Sequence, residues 1–137
     1  MTENKPKRTA TAVSGSTPYR TLIQTGKHEI IADETVESGG AETGPTPQDL
    51  LRMSLASCTS ITLRMYADRK NWNVGEVKVS VFNTTVNDET VFECRIAFEF
   101  PPDQETMDRL LVVANKCPVH KLLAKANPIF TIVDGMQ

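Results

Sequence analysis

The chain has 137 residues, 39% hydrophobic and 23% charged, which suits one hydrophobic core and not two. Its formal net charge of -2 argues against a general nucleic-acid surface, and its one basic cluster, Lys5-Pro-Lys-Arg8, closes an expected flexible tail (1–8) ahead of a single domain (9–137). The polar N-terminus does not read as a signal peptide, and no stretch approaches the roughly 20 apolar residues of a membrane span.

In chain order, Thr9–Ser14, Tyr19–Thr25 and His28–Ala32 read as strands, the last two joined by a tight turn at Gly26-Lys27. A polar surface loop, Asp33–Pro45, follows; it lacks the Gly-x-Gly-x-x-Gly and Walker patterns of a phosphate cradle. Thr46 then suits an N-cap and Pro47 the first helical position, with Asp49 placed as a capping-box acid three residues after the cap. The helix predicted from Pro47 to about Arg69 would be about 34 Å long. Leu51, Leu55, Cys58, Thr62 and Met65 would share one face, and the charge-free run between Arg52 and Arg64 predicts a middle enclosed on most sides.

Val77, Val79 and Val81 alternate with polar residues, and so do Phe92, Cys94, Ile96, Phe98 and Phe100. With a turn around Asn87-Asp88-Glu89, the two runs predict an antiparallel hairpin that Pro101-Pro102 ends. A second helix starts near Asp103, with Met107, Leu110, Leu111, Ala114 and Cys117 as its apolar stripe. Pro118 disfavours helix at Cys117, so a turn there and a shorter helix to about Ala126 are expected, then a last strand, Ile129–Val133. The order β-β-β-α-β-β-α-α-β predicts an α+β fold with a largely antiparallel sheet and both helices on one side of it.

Three cysteines without a secretion signal point to a reducing, cytoplasmic setting. Metal binding is not expected, because there is no Cys-x-x-Cys and the only local pair is Cys117 with His120. Cys94 reads as a small core hydrophobe and His120 as a surface or interface residue. Cys58 and Cys117 differ: brought together by the fold, they would make a nucleophile and a resolving partner. A free thiol is only about 3% thiolate at neutral pH, and burial lowers that fraction. Lowering the pKa by two units takes about 2.7 kcal/mol. One guanidinium at 4 Å supplies roughly 4 kcal/mol at an effective dielectric of 20. Arg20, from an early strand, and Arg64, six residues beyond Cys58, are the candidate cations. Asp49 would act from the mouth of the site.

Three segments carry a resemblance: Gly44-Pro-Thr-Pro-Gln-Asp-Leu-Leu51, Leu55-Ala-Ser-Cys-Thr-Ser-Ile-Thr-Leu-Arg-Met-Tyr-Ala67 and Cys117-Pro-Val-His-Lys-Leu122. They resemble the OsmC-like family of osmotically inducible protein C and the organic hydroperoxide resistance proteins, over about Gly26 to Val133. The resemblance implies an intertwined homodimer with long central helices and two sites at its interface. It also implies a peroxidase that needs no cofactor or metal. Cys58 would attack the hydroperoxide and become a sulfenic acid, and Cys117 would condense with it to a disulfide. A dithiol, lipoyl or thioredoxin-type, would reduce that bridge. Asp49 stands where the family usually has glutamate, and Arg20 lies near the place of its catalytic arginine. A redox sensor or small-molecule-binding protein of the same fold, and a cysteine hydrolase using His120, are the alternative readings.

Overall fold

A computed structural model describes residues 7–135, which fall into two compact units that divide after Leu51. Of the expected tail, residues 1–6 lie outside the described residues.

The first unit is built on a three-stranded antiparallel meander, β1 (Thr11–Ser14), β2 (Thr21–Thr25) and β3 (His28–Ala32). Gly26 supplies the positive φ of 57° that the β2–β3 turn requires. The loop after β3 runs over the surface, as expected, and folds around the buried carboxylate of Asp33. Asp33 accepts from the backbone N–H groups of Tyr19 (3.2 Å), Glu34 (2.7 Å) and Thr43 (3.1 Å), and from the Thr43 hydroxyl at 2.6 Å. Donors on every side hold its pKa well below the ordinary carboxylate value, the Thr43 hydroxyl foremost. At Gly44 a Cβ would collide with the Ile31 carbonyl oxygen, so only glycine lets the chain pass β3 and enter the helix.

Helix α1 spans Pro47–Arg69, starting in the first unit and running on in the second. The second unit adds a long hairpin, β4 (Val77–Val86) and β5 (Glu89–Phe98), then α2 (Gln104–Ala114) and α3 (Pro118–Leu123). Asn87 and Asp88 both take positive φ, 51° and 64°, as a two-residue hairpin turn requires. Asp103 caps α2 by accepting from the Thr106 N–H at 2.8 Å. Leu63 and Ala67 of α1, Val74, Phe98 of β5, and Leu110 and Ala114 of α2 form the core. Within this unit both helices cover one face of the hairpin, as the alternation of Phe92, Cys94, Ile96 and Phe98 implies.

Several expectations need correction. The strands form two antiparallel sheets, not one. The buried row of α1 is Leu55, Thr59, Leu63 and Ala67, whereas Leu51 and Met65 are exposed. The middle of α1 is also not enclosed within one chain, since Met53 and Ile61 stand open. A four-residue repeat drifts against a 3.6-residue turn, so several rows of this charge-free helix fit apolar spacing equally well. On α2 Leu111 faces outward, and Val113 packs against the core in its place. Phe100 lies beyond the end of β5 and is exposed, and α3 ends at Leu123, short of Ala126. Ile129–Val133 has the composition of a strand but is none: its side chains are exposed, and it joins no sheet among the described residues. A strand exists only where another backbone completes its hydrogen bonds.

Candidate active site

The second unit brings Cys58 and Cys117 together. Cys58 projects from the fourth turn of α1, and Cys117 sits in the bend that Pro118 forces between α2 and α3. Cys117 is fully buried, whereas Cys58 is half-buried. The two thiols lie close enough to interact directly. Cys117 is also the N-cap of α3: its sulfur accepts the His120 N–H at 3.5 Å. The Thr59 hydroxyl points at the same sulfur from α1, at 3.8 Å.

These contacts separate the two thiols electrostatically. Burial raises both, but its effect on Cys117 is outweighed by donation from Cys58, the His120 N–H, the Thr59 hydroxyl and the Val119 N–H, which set Cys117 below the ordinary thiol range. Cys58 moves the other way, raised by burial and then by giving its proton to the bond with Cys117. The two thiols therefore titrate as an interacting pair, with Cys117 lowered and Cys58 raised. The cation was expected to lower Cys58; the neutral donors found here converge on Cys117 instead, and Cys58 is raised.

A cleft of about 350 Å³ lies beside the pair, lined in part by Leu55, Val91, Phe92, Cys94, His120 and Leu123. Leu55, three residues before Cys58, lines it from α1, and His120, whose N–H caps Cys117, lines it from α3. Cys94 lines it from β5 instead of filling the core; burial, and behind it the charge of Cys117, raise its thiol. Among the described residues no cluster of His, Cys, Asp and Glu could hold a metal ion.

The remaining candidates have partners or settings of their own. Asp49 completes a capping box with Thr46: it accepts the Thr46 N–H at 3.0 Å, and its own N–H bonds the Thr46 hydroxyl at 3.1 Å. Arg20 is exposed, directly ahead of β2. Both belong to the first unit, and the thiols to the second. Arg64 donates to the Gly75 carbonyl and pairs with Asp68 at 3.5 Å, while Arg52 bonds Asn83 at 2.6 Å. The sequence reading missed Thr59 and the amides of Val119 and His120. The Cys-Pro bend was the legible signal for the amides, and a threonine in an apolar row was the signal for Thr59.

A thiol pair on a long helix and a Cys-Pro bend, in an α+β fold of antiparallel sheets, is the pattern of one protein class. The family model for OsmC-like protein matches residues 39–133, and the chain belongs to that family. In structure it is similar to a Psychrobacter arcticus protein described as an osmotic stress induced and detoxification response protein, with 24% identity, 86% of this chain and 89% of that chain covered, and a TM-score of 0.73. It is likewise similar to an OsmC-like protein from Mycoplasma pneumoniae (18% identity, 89% of each chain, TM-score 0.68). A third relative in fold is an organic hydroperoxide resistance protein OsmC from Legionella pneumophila (18% identity, 88% of this chain and 91% of that chain, TM-score 0.60). No curated protein matches the chain in sequence.

Proposed function

We propose that this protein is a thiol-dependent peroxidase that reduces organic hydroperoxides, or hydrogen peroxide, through a Cys58 sulfenic acid resolved by Cys117. This reading is carried by the juxtaposition of a half-buried Cys58 thiol and a fully buried, donor-surrounded Cys117 thiol. Accessibility suits Cys58 to meet a peroxide, and burial suits Cys117 to wait for the oxidised sulfur. The names of the Legionella pneumophila protein and of the organic hydroperoxide resistance protein OhrB of Bacillus subtilis support the substrate class.

In this scheme the Cys58 sulfur attacks the terminal oxygen of ROOH as its proton passes to the Cys117 sulfur. The O–O bond breaks, the electron pair goes to the leaving alkoxide, and that oxygen takes up a proton to leave as ROH. Cys58 is now a sulfenic acid. The Cys117 sulfur attacks it and expels water, forming the disulfide. A dithiol, lipoyl or thioredoxin-type, then returns both cysteines to thiols and becomes the oxidised partner. The apolar wall of Leu55, Val91, Phe92 and Leu123 suits the organic group R. Asp49 and Arg20 enter the proposal on the family resemblance alone, as the carboxylate and guanidinium that tune the attacking sulfur.

The working form is proposed to be a homodimer in a reducing cytoplasm. Met53, Ile61 and Met65 are 53%, 54% and 55% exposed and follow helical spacing along α1, an apolar stripe that a second copy would cover. The strand-like Ile129–Val133, unpaired among the described residues, supports the same assembly. Steady-state consumption of an organic hydroperoxide with a dithiol donor tests the activity. A peroxidase turns over many times and stops on Cys58→Ser, whereas one oxidation without turnover identifies a sensor. Loss of activity on His120→Ala, with hydrolysis of an activated ester, identifies a hydrolase.

A further inference from the structure

The buried row of α1 contains one polar member. Leu55, Leu63 and Ala67 are what a helix turns toward a core; Thr59, between them, is 2% exposed. Valine has nearly the same shape without the hydroxyl. Burying that hydroxyl costs roughly 1–3 kcal/mol unless it is hydrogen-bonded. A helical threonine commonly satisfies itself on the carbonyl one turn earlier. Here the hydroxyl is directed across the unit to Cys117 Sγ, on the residue between α2 and α3.

We infer that Thr59 is a positioning residue of the thiol pair, whose hydroxyl keeps the negative charge of the reduced site on Cys117 and so makes Cys117 the proton acceptor for Cys58. The inference rests on the peroxidase reading only for its kinetic consequence. The location of the charge is a property of the resting protein.

The geometry supports it from three sides. Cys117 accepts from Cys58 and Thr59 on α1 and from the backbone of α3, so donors surround a sulfur that water does not reach. Cys58 is its neighbour in the chain of bonds and the only one of the two with exposure to a substrate. Thr59 and Cys58 are consecutive on α1, about 100° apart around its axis, so one helix presents both a proton to move and a hydroxyl to steady the sulfur receiving it. Of the other titratable groups, Cys94 on β5 feels the charge of Cys117, and Glu89 and His120 line the cleft with it. In this arrangement the ionised site is a Cys58 thiol facing a Cys117 thiolate. When the Cys58 sulfur attacks the peroxide, its proton moves to Cys117 along the bond already present. No further base is needed for the attack.

The test reads the charge directly. In Cys58→Ser, Cys94→Ser protein, Cys117 is the only thiol, and its thiolate absorbance is titrated against pH with Thr59 and with Thr59→Val. A hydrogen bond to a charged group is worth about 1.5 kcal/mol or more. The valine variant is therefore expected to titrate about one unit higher, with about tenfold less thiolate at pH well below both midpoints. Thr59→Ser, which keeps the hydroxyl, should restore the original curve. Should the valine variant not fold cooperatively, Thr59→Ala is read in the same way. Coincident curves for threonine, serine and valine or alanine overturn the proposal. In protein with all three cysteines, Thr59→Val should also slow the first oxidation by hydroperoxide several-fold. A shifted titration in a chain that no hydroperoxide oxidises would sink the peroxidase reading and leave the role of Thr59 standing. Rapid oxidation with unshifted titration would do the reverse.

Discussion

Closing the Cys58–Cys117 bridge should stabilise the protein by an amount that chain length sets. The bond would join residues 59 apart in sequence whose side chains already touch in the reduced protein, so it needs little rearrangement of the fold. Its main effect falls on the unfolded chain, which loses the freedom of a loop of nearly sixty residues. The chain-entropy relation gives about 4 kcal/mol at room temperature for such a loop. With a urea slope of about 2 kcal/mol per molar for a protein of this size, the midpoint should rise by roughly 2 M. The assay is urea denaturation of reduced protein and of protein treated with one equivalent of organic hydroperoxide, at equal protein concentration. Cys117→Ser, treated identically, should show no gain. An unchanged or lowered midpoint, in protein whose bridge is mapped to these two cysteines, would mean that the sulfurs meet only by distorting the fold. The neighbour geometry argued here would then be wrong.

Two further outcomes follow from other parts of the molecule. Asp33→Asn should lower the melting temperature at neutral pH, because the amide cannot accept all of the bonds from Tyr19, Glu34 and Thr43 that the carboxylate accepts. The folded pKa of Asp33 is depressed, so its contribution is full above the ordinary value of 3.8 and drains away as pH falls below it. The gap between the two proteins in thermal melts should therefore narrow in acid, and a constant gap would contradict this assignment. Ile61→Asp, in the middle of the exposed stripe of α1, should convert a dimer to monomers in sedimentation equilibrium with the helix content retained. An unaltered dimer would place the interface elsewhere.

Much of the fold was legible because its signals were local. Thr46-Pro47 and Asp103 cap their helices as their residue types demand, and the alternation from Phe92 to Phe98 gives both the strand and its buried side. Cys117-Pro118 gave the bend that becomes the N-cap of α3. What escaped depends on which surfaces meet. Leu55, Cys58, Thr62 and Met65 are as evenly spaced as Leu55, Thr59, Leu63 and Ala67, and a helix without charges offers nothing else to choose between the rows. The role of Asp33 is not legible along the chain, because its donors arrive from Tyr19, 14 residues earlier, and from Thr43, 10 residues later. Ile129–Val133 was read as a strand on composition, but pairing decides strands, and composition carries no partner. At the site both cysteines stood out by motif. Thr59 did not, since its significance lies in a sulfur 58 residues away.

The central claim is that Cys58 and Cys117 form one redox site. Intact mass and peptide mapping after a single equivalent of organic hydroperoxide test it most directly. The account predicts a loss of two protons and one linked peptide pair joining Cys58 to Cys117, with Cys94 still alkylatable. Stepwise oxygen addition at Cys58 with Cys117 left as a free thiol would contradict it.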